Sequence, residues 1–262
     1  MPRNNTFAAN LIKVLKKLLT GLFLFVITGF SLLASETEAV SDAKPSISLF
    51  AYGELVSTHV WRGGKSGNVP AFEPMLELSR NDFTLGSWAA VTFDGLYREL
   101  DLYLTYSVGD FTLGLYDYYC PPAEPGVADF STFSGPDTYH LYSFDAVYQG
   151  SAKLPVKLTA SVMMYGMDVD AESGDANFST YLEAVYVKKW EHWSAGATLG
   201  FTTHQGIYAN KAAMVHTELN VKRRFNYKEI SIPVFAKTIY NPYADKFYLL
   251  GGVAFQLSHR WN

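Results

Sequence analysis

The sequence predicts an all-β protein, a transmembrane antiparallel up-and-down β-barrel of about twelve strands behind a signal peptide. Three observations predict it. Segments of about ten to thirteen residues alternate apolar and polar side chains with a period of two. The connections between them alternate between longer and shorter. Aromatic residues gather where those segments end. A soluble sandwich has strands of about five or six residues, whereas a tilted strand needs about nine to eleven to cross a bilayer.

The N-terminus stands apart. Arg3, Lys13, Lys16 and Lys17 are the charged residues of the first 34, and 18–34 reads LLTGLFLFVITGFSLLA. A basic start, an apolar stretch and small residues at Ala34 and Ala39 form a secretory signal peptide over 1–34, with cleavage as late as residue 43. A single membrane anchor is the competing reading of 17 apolar residues. Residues 35–45 are a short linker, and 46–262 are the barrel.

Twelve alternating segments lie near 46–60, 71–80, 83–94, 99–108, 111–120, 138–149, 155–167, 178–188, 193–203, 213–223, 230–240 and 246–260. The pattern is clearest over 99–119. Leu100, Leu102 and Leu104 alternate with Asp101, Tyr103 and Thr105, and Phe111, Leu113 and Leu115 alternate with Thr112, Gly114 and Tyr116. Gly109-Asp110 between these arms is a two-residue turn with Gly first, as a type II′ hairpin prefers. Connections near 61–70, 95–98, 121–137, 168–177, 204–212 and 241–245 are rich in Gly, Pro, Asn and Asp. Those near 81–82, 109–110, 150–154, 189–192 and 224–229 are shorter on average, as periplasmic turns are. Trp61, Tyr97, Tyr118, Tyr208, Tyr240 and Tyr243 are expected in an outer aromatic girdle, and Phe83, Phe111, Trp190, Trp193, Tyr227 and Trp261 in an inner one. Pro74 and Pro233 each remove a ladder donor and are expected at bulges or strand ends.

Charge narrows the partners. Loss of 1–34 leaves 17 basic and 25 acidic residues, a net of about −8, which excludes a nucleic-acid surface. The expected partners are outer-membrane lipid and a small hydrophilic solute, and the sequence specifies no oligomeric state. The lone Cys120 has no intramolecular disulfide partner.

With the apolar set turned to lipid, the complementary set lines the lumen. The residues expected to meet solute are Glu54, Glu73, Glu77, Asp101, Glu183, His216, Glu218, Lys222 and Lys237, with Asp94, Asp145 and Lys157 nearby. Both signs occur, so the same residues could close the lumen as an ion-pair network or select solutes in a narrow channel. Small side chains at Ser194, Gly196, Thr198 and Gly200, and at Thr84 and Gly86, are expected to leave free volume. The loop 121–137 is long enough to fold inward.

Catalytic patterns are weak. Ser57 and His59 share a face, but no suitably placed Asn accompanies them, and catalysis is not expected. His140, His204 and His216 lack metal-ligand spacing. Asp168, Asp170 and Glu172 faintly echo a calcium loop, yet Gly174 is one position late and Ser179 occupies the place of the bidentate Glu. A solvated acidic loop is expected there, and no cofactor.

Val60-Trp61-Arg62-Gly63, Gly86-Ser87-Trp88-Ala89 and Glu99-Leu100-Asp101-Leu102-Tyr103 give residues 46–120 a resemblance to the TorF family of porins. The stretch from Ser57 to Gly63 keeps the frame of that family's S-D-Y-V-F-R-G but replaces its Asp and Tyr with Thr58 and His59. The resemblance implies a Gram-negative outer-membrane barrel and marks Arg62 as important at the channel mouth. A guanidinium beside Gly63-Gly64 suits either loop backbone or an anionic solute. Passive diffusion of small hydrophilic solutes is the expected function. The alternative is a structural or adhesive barrel with a closed lumen.

Overall fold

A computed structural model describes residues 47–124, 126–135, 137–227 and 230–261. The expected signal peptide and the whole of the expected linker lie outside the described residues, as does Asn262. The described chain forms fourteen strands: β1 Ile47–Val56, β2 His59–Trp61, β3 Gly64–Ser66, β4 Ala71–Arg80, β5 Phe83–Thr92, β6 Arg98–Val108, β7 Phe111–Tyr119, β8 His140–Tyr148, β9 Val156–Gly166, β10 Thr180–Lys189, β11 Trp193–Thr202, β12 Ala213–Tyr227, β13 Ile230–Asn241 and β14 Lys246–Trp261. Twelve of them close an antiparallel barrel in the order β1-β4-β5-β6-β7-β8-β9-β10-β11-β12-β13-β14. The seam is β1 against β14, continuous from Ile47↔Trp261 to Val56↔Gly252. Closure leaves no strand edge for the bilayer to desolvate.

The two faces separate as the alternation requires. On β6, Leu100 and Leu102 are exposed while Glu99, Asp101 and Tyr103 are buried. On β7, Phe111, Leu113 and Leu115 point outward and Gly114 and Tyr118 inward. Leu76, Leu78, Leu199, Leu219, Leu249 and Leu257 continue the apolar exterior around the barrel. So large an exposed apolar surface is unsuited to water and suits lipid. The barrel is a membrane-spanning one. Phe83, Phe111, Trp190 and Trp193 are exposed near the turn end, where the inner girdle was expected.

Turn chemistry matches the short connections. Val108 pairs with Phe111 across Gly109-Asp110, and Gly109 has φ 56°. Arg80 pairs with Phe83 across Asn81-Asp82, where Asn81 takes φ 52°. β12 runs on to Tyr227, so residues 224–227 of the turn expected at 224–229 are strand. Pro74 sits at a gap in the β4–β5 ladder, and Pro233 lies just beyond the end of the β13–β14 ladder.

Three expectations are overturned. The first segment does not run to residue 60: β1 ends at Val56, and β2 with β3 forms a separate two-stranded hairpin. The small residues do not leave free volume, because a Cβ on Gly86 would overlap the Tyr103 ring, one on Gly200 the Tyr181 ring, and one on Gly196 the Asn220 amide. Four members of the outer girdle, Trp61, Tyr97, Tyr118 and Tyr208, pack with lumen or hairpin groups instead of facing lipid.

Candidate functional site

The β2–β3 hairpin lies inside the barrel, in the half of the lumen on the side of the long loops. Its turn is Arg62-Gly63, with Trp61 paired to Gly64, and both turn residues have positive φ, 47° and 80°. Positive φ at both central positions is the type I′ pattern that suits two-residue hairpins. Arg62 has a Cβ and tolerates the left-handed region at a cost of about 1–2 kcal/mol, which its contacts offset. Gly63 has no such latitude, because a Cβ there would overlap the carbonyl oxygen of Val215 on β12.

Contacts at three places hold the hairpin. At its base the His59 ring is 3 % exposed, with Nδ1 2.9 Å from Glu73 Oε1 on β4 and its ring against Trp88 and Tyr97. Glu99 on β6 completes that pocket, accepting a 2.6 Å hydrogen bond from the Tyr97 hydroxyl. At the tip, Arg62 Nη2 is 3.3 Å from Asp145 Oδ2 on β8, and both its terminal nitrogens reach Ser161 Oγ on β9 at 3.2 Å. The guanidinium also bonds the Tyr208 hydroxyl and stacks on Trp61 and Tyr181, 4.7 and 4.5 Å from their centroids. On the remaining side, Asn241 Nδ2 of β13 donates to the Gly63 carbonyl at 3.1 Å. Val60 packs toward Val56, Phe235 and Leu250, while Trp61 packs toward Tyr118, Leu141 and Met163. Burial pushes the Tyr208 phenol up to about 12, with the neighbouring Arg62 charge opposing that rise.

Each residue singled out from the sequence has a place in this frame. Glu54, Glu73, Glu77, Asp101, Glu183, His216, Glu218, Lys222 and Lys237 all project from the inward face. Glu73 belongs to the His59 anchor, and Asp101 is buried beside Glu99 and faces Arg62. Glu54, Glu77 and Glu183 accept hydrogen bonds from Tyr52, Tyr103 and Tyr181. His216 Nδ1 is 3.0 Å from the Tyr181 hydroxyl, and its Nε2 is 3.7 Å from Glu218. Glu218 also accepts from Asn220 at 2.9 Å. Lys222 and Lys237 lie over Phe235, on the short-turn side of the hairpin. Arg62 is not a free group at the mouth but the buried tip of the inserted hairpin, because the turn carries it across the lumen to β8.

The structure adds His59, Trp61, Ser161, Tyr208 and Asn241 to the site and joins Asp145, expected in the lumen, to Arg62. The signal that could have pointed to them is Gly63-Gly64 after Trp61-Arg62, which suits a tight turn between two short strands. The described residues of the loop 121–137 do not fold inward. Its Phe130 and Phe133 pack on the outward-facing His140 ring, whose Nδ1 is 2.7 Å from Asp117 and whose Nε2 is 2.9 Å from the Phe130 carbonyl. Asp168 is not solvated: at 2 % exposure it accepts hydrogen bonds from the Ser179 amide and hydroxyl and from Asn177. Asp170 fits the expected acidic loop, and amides of Ser173 and Glu172 hold its carboxyl below the usual carboxylate range. Ser57 bonds the Gly251 amide while His59 turns to Glu73. Among the described residues, no group of three or more His, Cys, Asp and Glu is arranged to hold a metal ion.

No protein-family model matches the sequence, and no curated protein matches it either. Solved structures resemble the barrel. One is an outer-membrane channel from Pseudomonas putida F1, at 13% identity and a TM-score of 0.39, covering 86% of this chain and 100% of that one. Another is the outer-membrane protein opdK from Pseudomonas aeruginosa, at 13% identity and a TM-score of 0.35, covering 78% of this chain and 61% of that one. A mutant of the Rh. blastica porin matches at 11% identity and a TM-score of 0.33, over 80% of this chain and 100% of that one.

Proposed function

We propose that this protein is a channel of the bacterial outer membrane that passes small hydrophilic solutes passively, with the β2–β3 hairpin as its constriction. One observation carries the reading. The hairpin is joined to the barrel wall by side-chain contacts at its base, tip and turn, with no ladder between it and the barrel sheet among the described residues. A plug held in this way can shift as a unit without breaking any of the barrel's strand pairing. On the periplasmic side of the hairpin the wall carries Glu54, Glu77, Glu183, Glu218, Lys222 and Lys237, a charged lining suited to hydrated solutes. Glu54, Glu73, Glu77, Asp101, Glu183, His216, Glu218, Lys222, Lys237 and Arg62 are the proposed solute-facing or gating set.

The apolar packing of Trp61 against Tyr118, Leu141 and Met163 favours a second reading, a structural barrel with a permanently filled lumen. Single-channel recording in planar bilayers decides between them. The channel reading expects conductance steps from the intact protein, and larger steps after residues 58–68 are replaced by a short Gly-Ser link. Folded protein that gives no steps in either form establishes the filled barrel instead.

A further inference from the structure

We infer that the periplasmic half of the lumen holds an oxyanion-binding site built by Lys222 and Lys237 around Phe235, a subsite within the channel proposed above. Phe235 faces inward and is 5 % exposed. The Lys222 ammonium lies 5.5 Å from its ring centroid and the Lys237 ammonium 5.4 Å from the same centroid. Register explains the convergence. Lys222 is paired directly across from Phe235, and Lys237 is two residues along the same strand on the same face.

Three basic side chains around the hairpin have acidic partners: Arg62 has Asp145, His59 has Glu73 and His216 has Glu218. Lys222 and Lys237 differ. Among the described residues neither ammonium has a carboxylate within 4.0 Å. Glu54 acts on Lys222 and Glu218 on Lys237 only from beyond that distance, and each also accepts a protein hydrogen bond, from the Tyr52 hydroxyl and from Asn220. Arg224, the next inward residue on β12, adds a third positive charge acting on Lys222. Two ammoniums beside one ring bring six N–H donors to the same stretch of wall with no carboxylate in direct contact. A compact acceptor-rich anion, a phosphate or a carboxylate, satisfies that imbalance with charge-assisted hydrogen bonds. The half-buried setting strengthens such contacts relative to bulk water.

Binding is measured on the full barrel in detergent micelles, so the result does not depend on whether the lumen conducts. Inorganic phosphate is titrated by calorimetry and by phosphorus NMR line broadening, with acetate and the cation tetramethylammonium as comparison probes. Wild-type protein is expected to bind phosphate in the millimolar range. Lys222→Gln with Lys237→Gln should weaken that binding about tenfold or more, the loss expected for at least one charge-assisted contact. Acetate competing with phosphate would assign the site to oxyanions in general, and its failure to compete would restrict it to phosphate. Both outcomes support the site. If the double variant fails to fold, judged by heat-modifiable gel mobility, each single variant should show part of the loss. Equal phosphate affinity in folded wild-type and variant protein would overturn the site, as would wild-type protein that binds no phosphate. A barrel that binds phosphate but never conducts would retain the site and remove the channel.

Discussion

Replacing Arg62 with alanine should release the hairpin from the far wall of the lumen. Arg62 and Asp145 form an ion pair whose side chains are 10 % and 8 % exposed. Removing one partner of such a pair typically costs about 3–5 kcal/mol, because the other charge stays buried. Here Asp145 also accepts from Ser143 at 2.8 Å and from Ser161, which softens its isolation and puts the loss near 3 kcal/mol. Stacking on Trp61 and Tyr181 is lost as well, at about 0.5–2 kcal/mol. None of these terms falls on the barrel ladder, so the cost appears as weaker docking of the hairpin while the barrel stays folded. Together these terms reach about 3.5–5 kcal/mol, a shift of several hundred- to several thousandfold in docking equilibrium. Amide hydrogen exchange over residues 57–68 in micelles measures it directly. Exchange there should accelerate by about that factor while β6 and β7 stay protected, and channel openings should become longer or larger. Arg62→Lys should fall between, since an ammonium keeps the charge but loses the fork and the stacking. Unchanged exchange and unchanged conductance in Arg62→Ala would refute the latch.

Three further outcomes follow from the same geometry. Gly63→Ala places a methyl against the Val215 carbonyl at a positive φ, and should loosen the hairpin at least as much as Arg62→Ala in the same exchange measurement. Leu102→Lys puts a charge on the lipid face and should cost about 2–4 kcal/mol if it lies near the bilayer midplane. Thr105→Lys, on the inward face of the same strand, should fold nearly as the wild type, and equal urea midpoints for the two variants would show that the faces are misassigned. Glu73→Gln with Glu77→Gln should lower cation preference, read as a reversal potential in a salt gradient moving toward zero. Glu77 should carry more of the effect, because Glu73 is tied to His59. An unmoved reversal potential would remove both from the conduction path.

The barrel was legible because its causes are local. A period of two over about ten residues states which side chains share a face, and Gly109-Asp110 states where the chain turns. The lumen was less legible. Alternation assigns Asp145 and Tyr181 to the interior without indicating that both meet Arg62, 83 residues before Asp145 in the chain. The run Val60-Trp61-Arg62-Gly63 looked like the end of a strand because its apolar residues continue β1's composition. It is a hairpin because Arg62 and Gly63 take left-handed conformations and turn the chain back. Gly86 and Gly200 looked like gaps for a related reason: small residues are visible in a sequence, while the tyrosines that cover them come from neighbouring strands.

By itself, the sequence determined the strands, the outward apolar wall and the sorting of charged residues to the inner face, because lipid imposes one rule at every alternate position. Tertiary structure alone decided what fills that interior. Closure brings β4, β6, β8, β9, β12 and β13 around one hairpin, and its anchors at Glu73, Asp145 and Asn241 come from separate strands. Contacts of that kind depend on register and barrel closure, and a local pattern of residues carries neither.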